Sequence, residues 1–263
     1  MLEITFETMA ALAAVATLAG FIDAIAGGGG LITLPALFLA GIDPVAAIAT
    51  NKLQAASATV SATVAFWRKG MIEWRSGMPI ALMAMLGGSA GALSVSILPR
   101  SALEAVVPLL LISVAIYFLL APKLSDNESR AKISPFLYSL TIAPTIGFYD
   151  GVFGPGVGSF FMVSFVLLLG QGILRAMSFT KLANASSNIG ALIVFAWKGA
   201  IILPVALSMA AGAFLGAQLG ARCAVRFGSR LIKPILIAIC CLMAGKLLLN
   251  PDNPLRHALM HWS

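Results

Sequence analysis

The sequence GFIDAIAGGGGLITLP, residues 20–35, places one carboxylate and four consecutive glycines inside an apolar run. An aspartate at the centre of a membrane helix costs about 2.5 to 3.5 kcal/mol on insertion scales. Each glycine costs a helix about 1 kcal/mol relative to alanine. The stretch therefore predicts a helix that is interrupted at membrane depth, beside the buried acid Asp23.

The composition of the whole chain is that of an integral membrane protein. Of its 263 residues, 60% are hydrophobic and 10% are charged, whereas soluble domains carry about 25% charged residues. Apolar runs of about 17 to 25 residues recur along the chain, which is the length that a helix needs to cross the hydrocarbon core. We expect an all-α, multi-pass membrane protein with about 8 to 10 transmembrane segments.

The net charge of +7 does not indicate a nucleic-acid partner, because the basic residues concentrate in short connections between apolar runs. Loops of this kind face the cytoplasm under the positive-inside rule. The expected partners are the lipid bilayer and a small anionic substrate. Ten of the seventeen Lys and Arg residues fall in three such loops, at 68–75, 123–132 and 222–233.

The chain contains an internal repeat with a displacement of about 127 residues. GFIDAIAGGGG at Gly20 returns as GFYDGVFGPGVG at Gly147, and NKLQAASATVSATVAFWRKGMI from position 51 returns as TKLANASSNIGALIVFAWKGAI from position 180. The repeat predicts two units, residues 1–125 and 126–263, which together form a single membrane domain. It makes Asp23 the partner of Asp150, and Lys52 the partner of Lys181.

Equivalent loops of the two units differ in basic charge. Loop 68–75 is strongly basic while its partner around Lys198 carries one charge, and loop 98–104 carries one basic residue while its partner 222–233 carries four. This bias predicts inverted repeats, a common transporter architecture, with both termini and the Arg100 loop outside the cytoplasm.

Inversion requires an odd number of crossings in each half, and that number depends on the short apolar segments 31–40 and 157–170. Ten residues rise only about 15 Å as a helix, so both crossing and re-entry are open, although the charge bias favours crossing.

Helices are predicted at 8–26, 46–66, 78–97 and 104–121 in the first half, and at 134–152, 176–197, 201–219 and 233–249 in the second. Small residues four apart, at Gly87 and Gly91 and again at Gly212 and Gly216, predict close helix packing.

The candidate site combines the repeat-related charges. Asp23 and Asp150 are the two acids that lie within apolar runs, and Lys52 and Lys181 each begin a polar stretch of helix. In one interpretation the lysines attract an anion, and the aspartates pair with them or carry a coupling proton. In another, the charges neutralise each other within each half, so that Asp23 holds Lys52; in a third, the lysines snorkel to the interface.

Glycines and small polar residues extend the candidate site. A half-helix that begins after a break presents free N–H groups and a partial positive charge to an anion, although a packing bend would explain the glycines equally simply. The polar side chains would complete the hydrogen-bond shell of an oxyanion, or bind neighbouring helices. The predicted ligands besides the lysines are Asn51, Gln54, Thr180 and Asn184 with Gly28, Gly29, Gly30, Gly156 and Gly158, and Ser57, Ser186, Ser187 and Asn188 recur in the same polar pattern.

The stretches GFIDAIAGGGGLITLPAL, ATNKLQA, GFYDGVFGPGVGSF and KLANASSNIG resemble the TauE/SafE family of sulfite and organosulfonate exporters. The resemblance covers both halves. It implies an inner-membrane carrier built from two repeat units that moves small sulfur-containing or carboxylated anions.

The leading hypothesis is therefore a secondary transporter that exports a small anion and is coupled to protons. A passive anion channel built from the same residues is one alternative, and an intramembrane enzyme or assembly factor is another. Against an enzyme, the sequence has no HExxH motif and both histidines lie in the C-terminal tail. We expect neither a cofactor nor a bound metal, and both a monomer and a homodimer are open.

Overall fold

The structure, a computed structural model, describes residues 5–95, 97 and 128–227, and within these ranges it contains nine helices and no strand. This confirms the predicted all-helical class. Three of the described helices are long and apolar enough to cross a membrane, at Phe6–Ile25, Trp74–Val95 and Leu203–Cys223. The helices are α1 Phe6–Ala26, α2 Gly30–Leu39, α3 Pro44–Arg68, α4 Trp74–Val95, α5 Pro135–Leu140, α6 Ile142–Val152, α7 Val157–Leu169, α8 Ile173–Trp197 and α9 Leu203–Phe227.

Most predicted helices have an observed counterpart whose ends lie a few residues away. The helices predicted at 104–121 and 233–249, and the Arg100 loop, lie outside the described residues. The short apolar segments are helical, and their 10 and 13 residues correspond to about 15 and 20 Å of helix. Helix α1 ends where predicted, at Gly27, whose φ of +77° is a left-handed conformation that glycine adopts without strain.

The prediction of one continuous helix over 134–152 is wrong. The structure divides this segment at Thr141 into α5 and α6. Pro144 has no backbone N–H, so the carbonyl of Leu140 four residues earlier cannot receive its helical hydrogen bond, and the proline ring also crowds that carbonyl. The division therefore follows from a residue within the predicted helix.

The glycines predicted to pack helices closely do so. A Cβ at Gly216 would meet the backbone of Thr17, and a Cβ at Gly91 would meet the carbonyl of Phe148. Helix α1 thus lies against α9, and α6 lies against α4. In both cases a helix of one half packs on a helix of the other half, so the two halves interleave.

The order of these contacts gives the directions of the helices. Residues along α1 meet residues along α9 in ascending order, as do α3 with α9 and α4 with α6, so each of these pairs runs in the same direction. The contacts are Ala13, Thr17 and Phe21 with Gly212, Gly216 and Gly220, Ser57 and Ser61 with Ala210 and Phe214, and Gly87 and Gly91 with Pro144 and Phe148.

Candidate functional site

Two buried ion pairs cross between the halves. Lys52 Nζ lies 2.7 Å from Asp150 Oδ1, and Lys181 Nζ lies 3.1 Å from Asp23 Oδ2. The alternative in which Asp23 holds Lys52 of its own half is therefore wrong. Because the halves interleave, each lysine faces the helix break of the opposite repeat.

The lysines also bind the helix ends that precede the breaks. Lys52 Nζ donates to the backbone carbonyl of Asp150, and Lys181 Nζ donates to the backbone carbonyl of Asp23. The last carbonyls of a helix carry a partial negative charge because they have no intrahelical partner. Each ammonium group is thus stabilised by a carboxylate and by a helix C-terminus together.

The carboxylates have further donors. Ser187 Oγ donates to Asp150 Oδ2, and the backbone N–H of Gly29 donates to Asp23 Oδ1 at 3.1 Å. Gly29 is the N-cap residue of α2, so the N-terminus of this half-helix already holds an anionic group that belongs to the protein. An incoming anion would have to replace or accompany that carboxylate.

All four charged side chains are removed from solvent. The exposed fraction is 0% for Lys52 and Lys181, 1% for Asp150 and 7% for Asp23. Breaking a buried pair by removing one partner costs about 3 to 5 kcal/mol, because the remaining charge is left uncompensated. The observed pairing excludes snorkelling as the role of the two lysines, since neither reaches an interface.

The two glycine breaks meet each other at the centre of the described structure. A Cβ at Gly27 would meet the backbone of Gly158, and a Cβ at Gly30 would lie 3.3 Å from Pro155 Cα. Gly154, with φ +97°, lies against the first ion pair, since its Cβ would be 2.8 Å from Lys52 Nζ and 2.9 Å from Asp150 Oδ1. The breaks thus form the surroundings of the ion pairs.

A cavity of about 20 Å³ lies at this position, which is room for about one water molecule. It brings together part of the predicted set. The predicted residues on its wall are Asp23, Gly30, Asn51, Lys52, Asp150 and Asn184.

The remaining predicted residues lie outside this wall. Among the described residues that line the cavity, Lys181, Gln54 and Thr180 do not appear, and neither do Gly28, Gly29, Gly156 and Gly158. The Gln54 Oε1 and Thr180 Oγ1 atoms are buried, and neither has a hydrogen-bond partner within the described ranges. Asn51 Oδ1 accepts a 2.6 Å hydrogen bond from Thr33 Oγ1.

Among the wall residues that were missing from the predicted ligands, Asn188 and Gly154 lie beside Lys52. Asn188 Nδ2 donates to Asn184 Oδ1 at 2.7 Å, and Asn188 Oδ1 accepts from Lys52 Nζ at 3.4 Å. Asn188 stands one helical turn beyond Asn184 in the same polar pattern, so the spacing in the sequence could have predicted it as a site residue. Gly154 belongs to the quoted repeat motif, but its contact with Lys52 depends on helices that are distant in sequence.

Two other cavities are larger but lack this chemistry. One of about 440 Å³ is lined mostly by apolar residues of α4 and α6. The other, of about 210 Å³, has Arg175 on its wall, and that side chain forms an exposed ion pair with Glu73 at 2.8 Å. Neither contains the repeat-related acids and lysines.

The chain is similar to a known family and to proteins named as membrane transporters. The model of the family described as "Sulfite exporter TauE/SafE" matches residues 12–247. A relative from Sinorhizobium sp., named "Probable membrane transporter protein ORF9", is 46% identical over 261 residues, covering 99% of this chain and 100% of the relative.

Two further relatives are more distant. "Probable membrane transporter protein YfcA" of Escherichia coli is 40% identical over 248 residues, with 94% of this chain and 91% of the relative covered. A "Probable membrane transporter protein" of Haemophilus influenzae is 38% identical over 246 residues, with 94% and 96% covered. No solved structure matches the chain at a significant level.

Proposed function

The chain belongs to the TauE/SafE family, and from this premise we propose that it is a secondary transporter that exports a small anion across the cytoplasmic membrane. We propose sulfite, an organosulfonate or a related sulfur-containing or carboxylate anion as the cargo. The observation that carries the proposal is the pair of crossed Lys–Asp contacts around one central cavity. A buried ammonium group on a cavity wall, Lys52, is a direct ligand for an oxyanion.

Proton coupling follows from the charge balance of the site. The two lysines and two aspartates balance each other when the cavity holds no anion, so an anion that enters adds an unmatched charge in a poorly solvated place. Such a charge is costly. A proton taken up by Asp23 or Asp150 would restore neutrality, and this supports transport of the anion together with a proton.

Inverted repeats are part of the proposal, and the helix directions support them. Helices α3 and α4 are joined by residues 69–73 alone, and a connection this short joins antiparallel helices. Since α1 and α3 both run parallel to α9, while α6 runs parallel to α4, α1 and α6 point in opposite directions. These two helices are repeat partners.

The same directions support crossing by the short segments. Helices α1 and α3 run the same way, so the chain must return between them, through residues 27–43 that contain α2. Five crossings per half follow if α7 does the same and one further helix closes each half. In this proposal residues 1–125 and 126–263 are the two units that rock against each other.

We favour a carrier over a channel because the relatives are named membrane transporters, and flux measurements separate the two. Purified protein in proteoliposomes loaded with sulfite should show saturable efflux that responds to an imposed pH gradient. Non-saturating flux that ignores the gradient would establish a channel instead.

The role of the acids can be tested separately. Asp23→Asn should weaken the dependence of sulfite flux on the pH gradient, because the amide cannot carry the proton. Glu73→Gln, which removes an exposed carboxylate at the helix end, serves as the control and should leave that dependence unchanged. A parental pH profile in Asp23→Asn would assign the acid to structure alone.

A further inference from the structure

We propose that the two repeat-related lysines have different roles: Lys52 binds the transported anion together with Asn184, which Asn188 positions, whereas Lys181 braces the break after α1. The inference rests on the proposed function and deepens it. The sequence repeat makes the lysines equivalent, so the difference has to come from their surroundings in the folded protein.

The first observation is the position of the cavity. Lys52 and its partner Asp150 both lie on the cavity wall. On the other side, Asp23 lies on the wall but Lys181 is not among the described residues that line it. Lys181, at 0% exposure, is enclosed between Asp23 and the packed helices, where an anion entering the cavity would not meet it.

The second observation is the one-sided set of amides. Asn184 and Asn188 on α8 have Ala55 and Thr59 as their repeat partners on α3. The amides stand beside Lys52, since Asn188 Oδ1 accepts from its ammonium group. Asn188 Nδ2 donates to Asn184 O at 2.8 Å and to Asn184 Oδ1 at 2.7 Å, so Asn188 holds the Asn184 amide in place. The Nδ2 group of Asn184 is the amide donor that this side of the cavity offers to an oxyanion, beside the ammonium group of Lys52. The equivalent positions of the first half, 55 and 59, are not asparagines.

The third observation is the difference between the two break glycines. Gly154 keeps space open beside Lys52 Nζ and Asp150 Oδ1, because a Cβ there would approach both within 3 Å. Its counterpart Gly27 meets the backbone of Gly158 instead. Gly154 therefore leaves room for the Lys52 ammonium group, whereas Gly27 allows the backbone of the first break to contact the backbone of the second at Gly158.

Two matched double variants test the assignment without leaving an unpaired buried charge. Lys52→Met with Asp150→Asn removes one pair, and Lys181→Met with Asp23→Asn removes the other. Equilibrium binding of sulfite to the purified proteins is measured beside their thermal unfolding in detergent. The first variant should lose roughly 100-fold or more in affinity, the scale expected when a buried hydrogen-bonded charge is removed. It should lose at least roughly tenfold more than the second variant, which also removes one ion pair but keeps Lys52 on the cavity wall.

Equal loss in both folded variants, or retained binding in the first, would overturn the assignment while leaving anion transport intact. If the parent chain binds none of sulfite, thiosulfate or sulfoacetate, the proposed function itself fails, and this inference with it.

If a double variant does not fold, two single substitutions test the same assignment. Asn188→Ala should weaken sulfite binding roughly tenfold, because the Asn184 amide loses the neighbour that holds it in place and with it one hydrogen bond to a charged group. Thr63 on α3 provides the control: it is not among the described residues that line the cavity, and its Oγ1 donates to Thr59 O at 2.7 Å, so Thr63→Ala should leave the affinity unchanged. Parental affinity in folded Asn188→Ala would contradict the role of the amides and overturn the inference.

Discussion

Lys52 and Lys181 are buried ammonium groups in an apolar protein, and each is compensated twice. A carboxylate matches the charge, and the carbonyl end of a broken helix supplies a second acceptor. Desolvation of an ion costs several kcal/mol even in real proteins, so neither acceptor is dispensable on energetic grounds. The helix break and the buried charge therefore belong to one arrangement, since each ammonium group binds a backbone carbonyl in the last turn before a break.

Gly154 permits a residue-level test of that arrangement. Gly154→Ala should lower the thermal midpoint and abolish sulfite flux, because a Cβ at φ +97° would collide with Lys52 Nζ and Asp150 Oδ1. The left-handed strain alone costs about 1 to 2 kcal/mol, and the collision adds about 1 to 3 kcal/mol.

The matched control for this test is Gly199→Ala. Gly199 has φ +64° and no neighbouring atom within 4 Å of the added Cβ. Its alanine variant should therefore lose stability only through the left-handed backbone strain, and it should retain sulfite flux. If the two variants lose the same stability and transport equally well, Gly154 does not position the ion pair.

The helices are brought together by backbone contact more than by interlocking large side chains. In membranes the association of helices relies on close van der Waals packing, and small residues permit it. Gly212, Gly216 and Gly220 bring α9 against the backbone of α1, and Gly87 and Gly91 bring α4 against α6. These contacts join one half to the other, so they also set where the ion pairs meet.

A substitution at Gly216 tests the close packing of α9 against α1. Gly216→Ala should destabilise the protein by about 1 to 3 kcal/mol, the usual cost of overpacking, because the methyl group would meet the carbonyl of Thr17. Leu215→Ala is the control, since Leu215 is 62% exposed on the same helix, and it should shift the midpoint little. Unfolding in detergent measures both, and equal midpoints would show that α1 and α9 tolerate a wider separation.

Across the whole molecule, the described helices pair between halves in a reciprocal manner. The first half supplies α1 to α9 of the second, and the second supplies α6 to α4 of the first. The ion pairs likewise join the halves, since the lysine of each half binds the aspartate of the other. A site shared in this way changes its geometry whenever one half moves relative to the other, which is the property that a rocking carrier uses.

Inversion predicts that repeat-related loops lie on opposite sides of the membrane. Gly70 and Gly199 are repeat partners in exposed turns with no atoms crowding them. In a variant whose native cysteines, Cys223, Cys240 and Cys241, are replaced by serine, Gly199→Cys should react with an impermeant maleimide on intact spheroplasts. Gly70→Cys, in the basic loop, should react only after permeabilisation, and labelling of both from the same side would favour parallel repeats.

Much of the fold and part of the site could be predicted from the sequence. Apolar runs, glycine breaks and repeat partners are local or one-dimensional patterns, so the helical class and most helix positions are readable without any tertiary contact. The division at Thr141 was missed although Pro144 is visible in the sequence, because its local effect was not weighed against the apolar periodicity. Asn188 was left out of the predicted ligands for a similar reason, since Asn184 one turn earlier carries the same pattern.

The sequence by itself determined that this is a helical membrane protein with an internal repeat and that two acids lie within its apolar runs, because an ionisable residue that interrupts an apolar run is visible without any tertiary contact. Only the tertiary structure decided that Lys52 pairs with Asp150 and Lys181 with Asp23, and that Lys52 faces the cavity. A repeat offers every acid two equivalent lysines, and the choice between them depends on which helices pack together, which is a long-range property that periodicity does not encode.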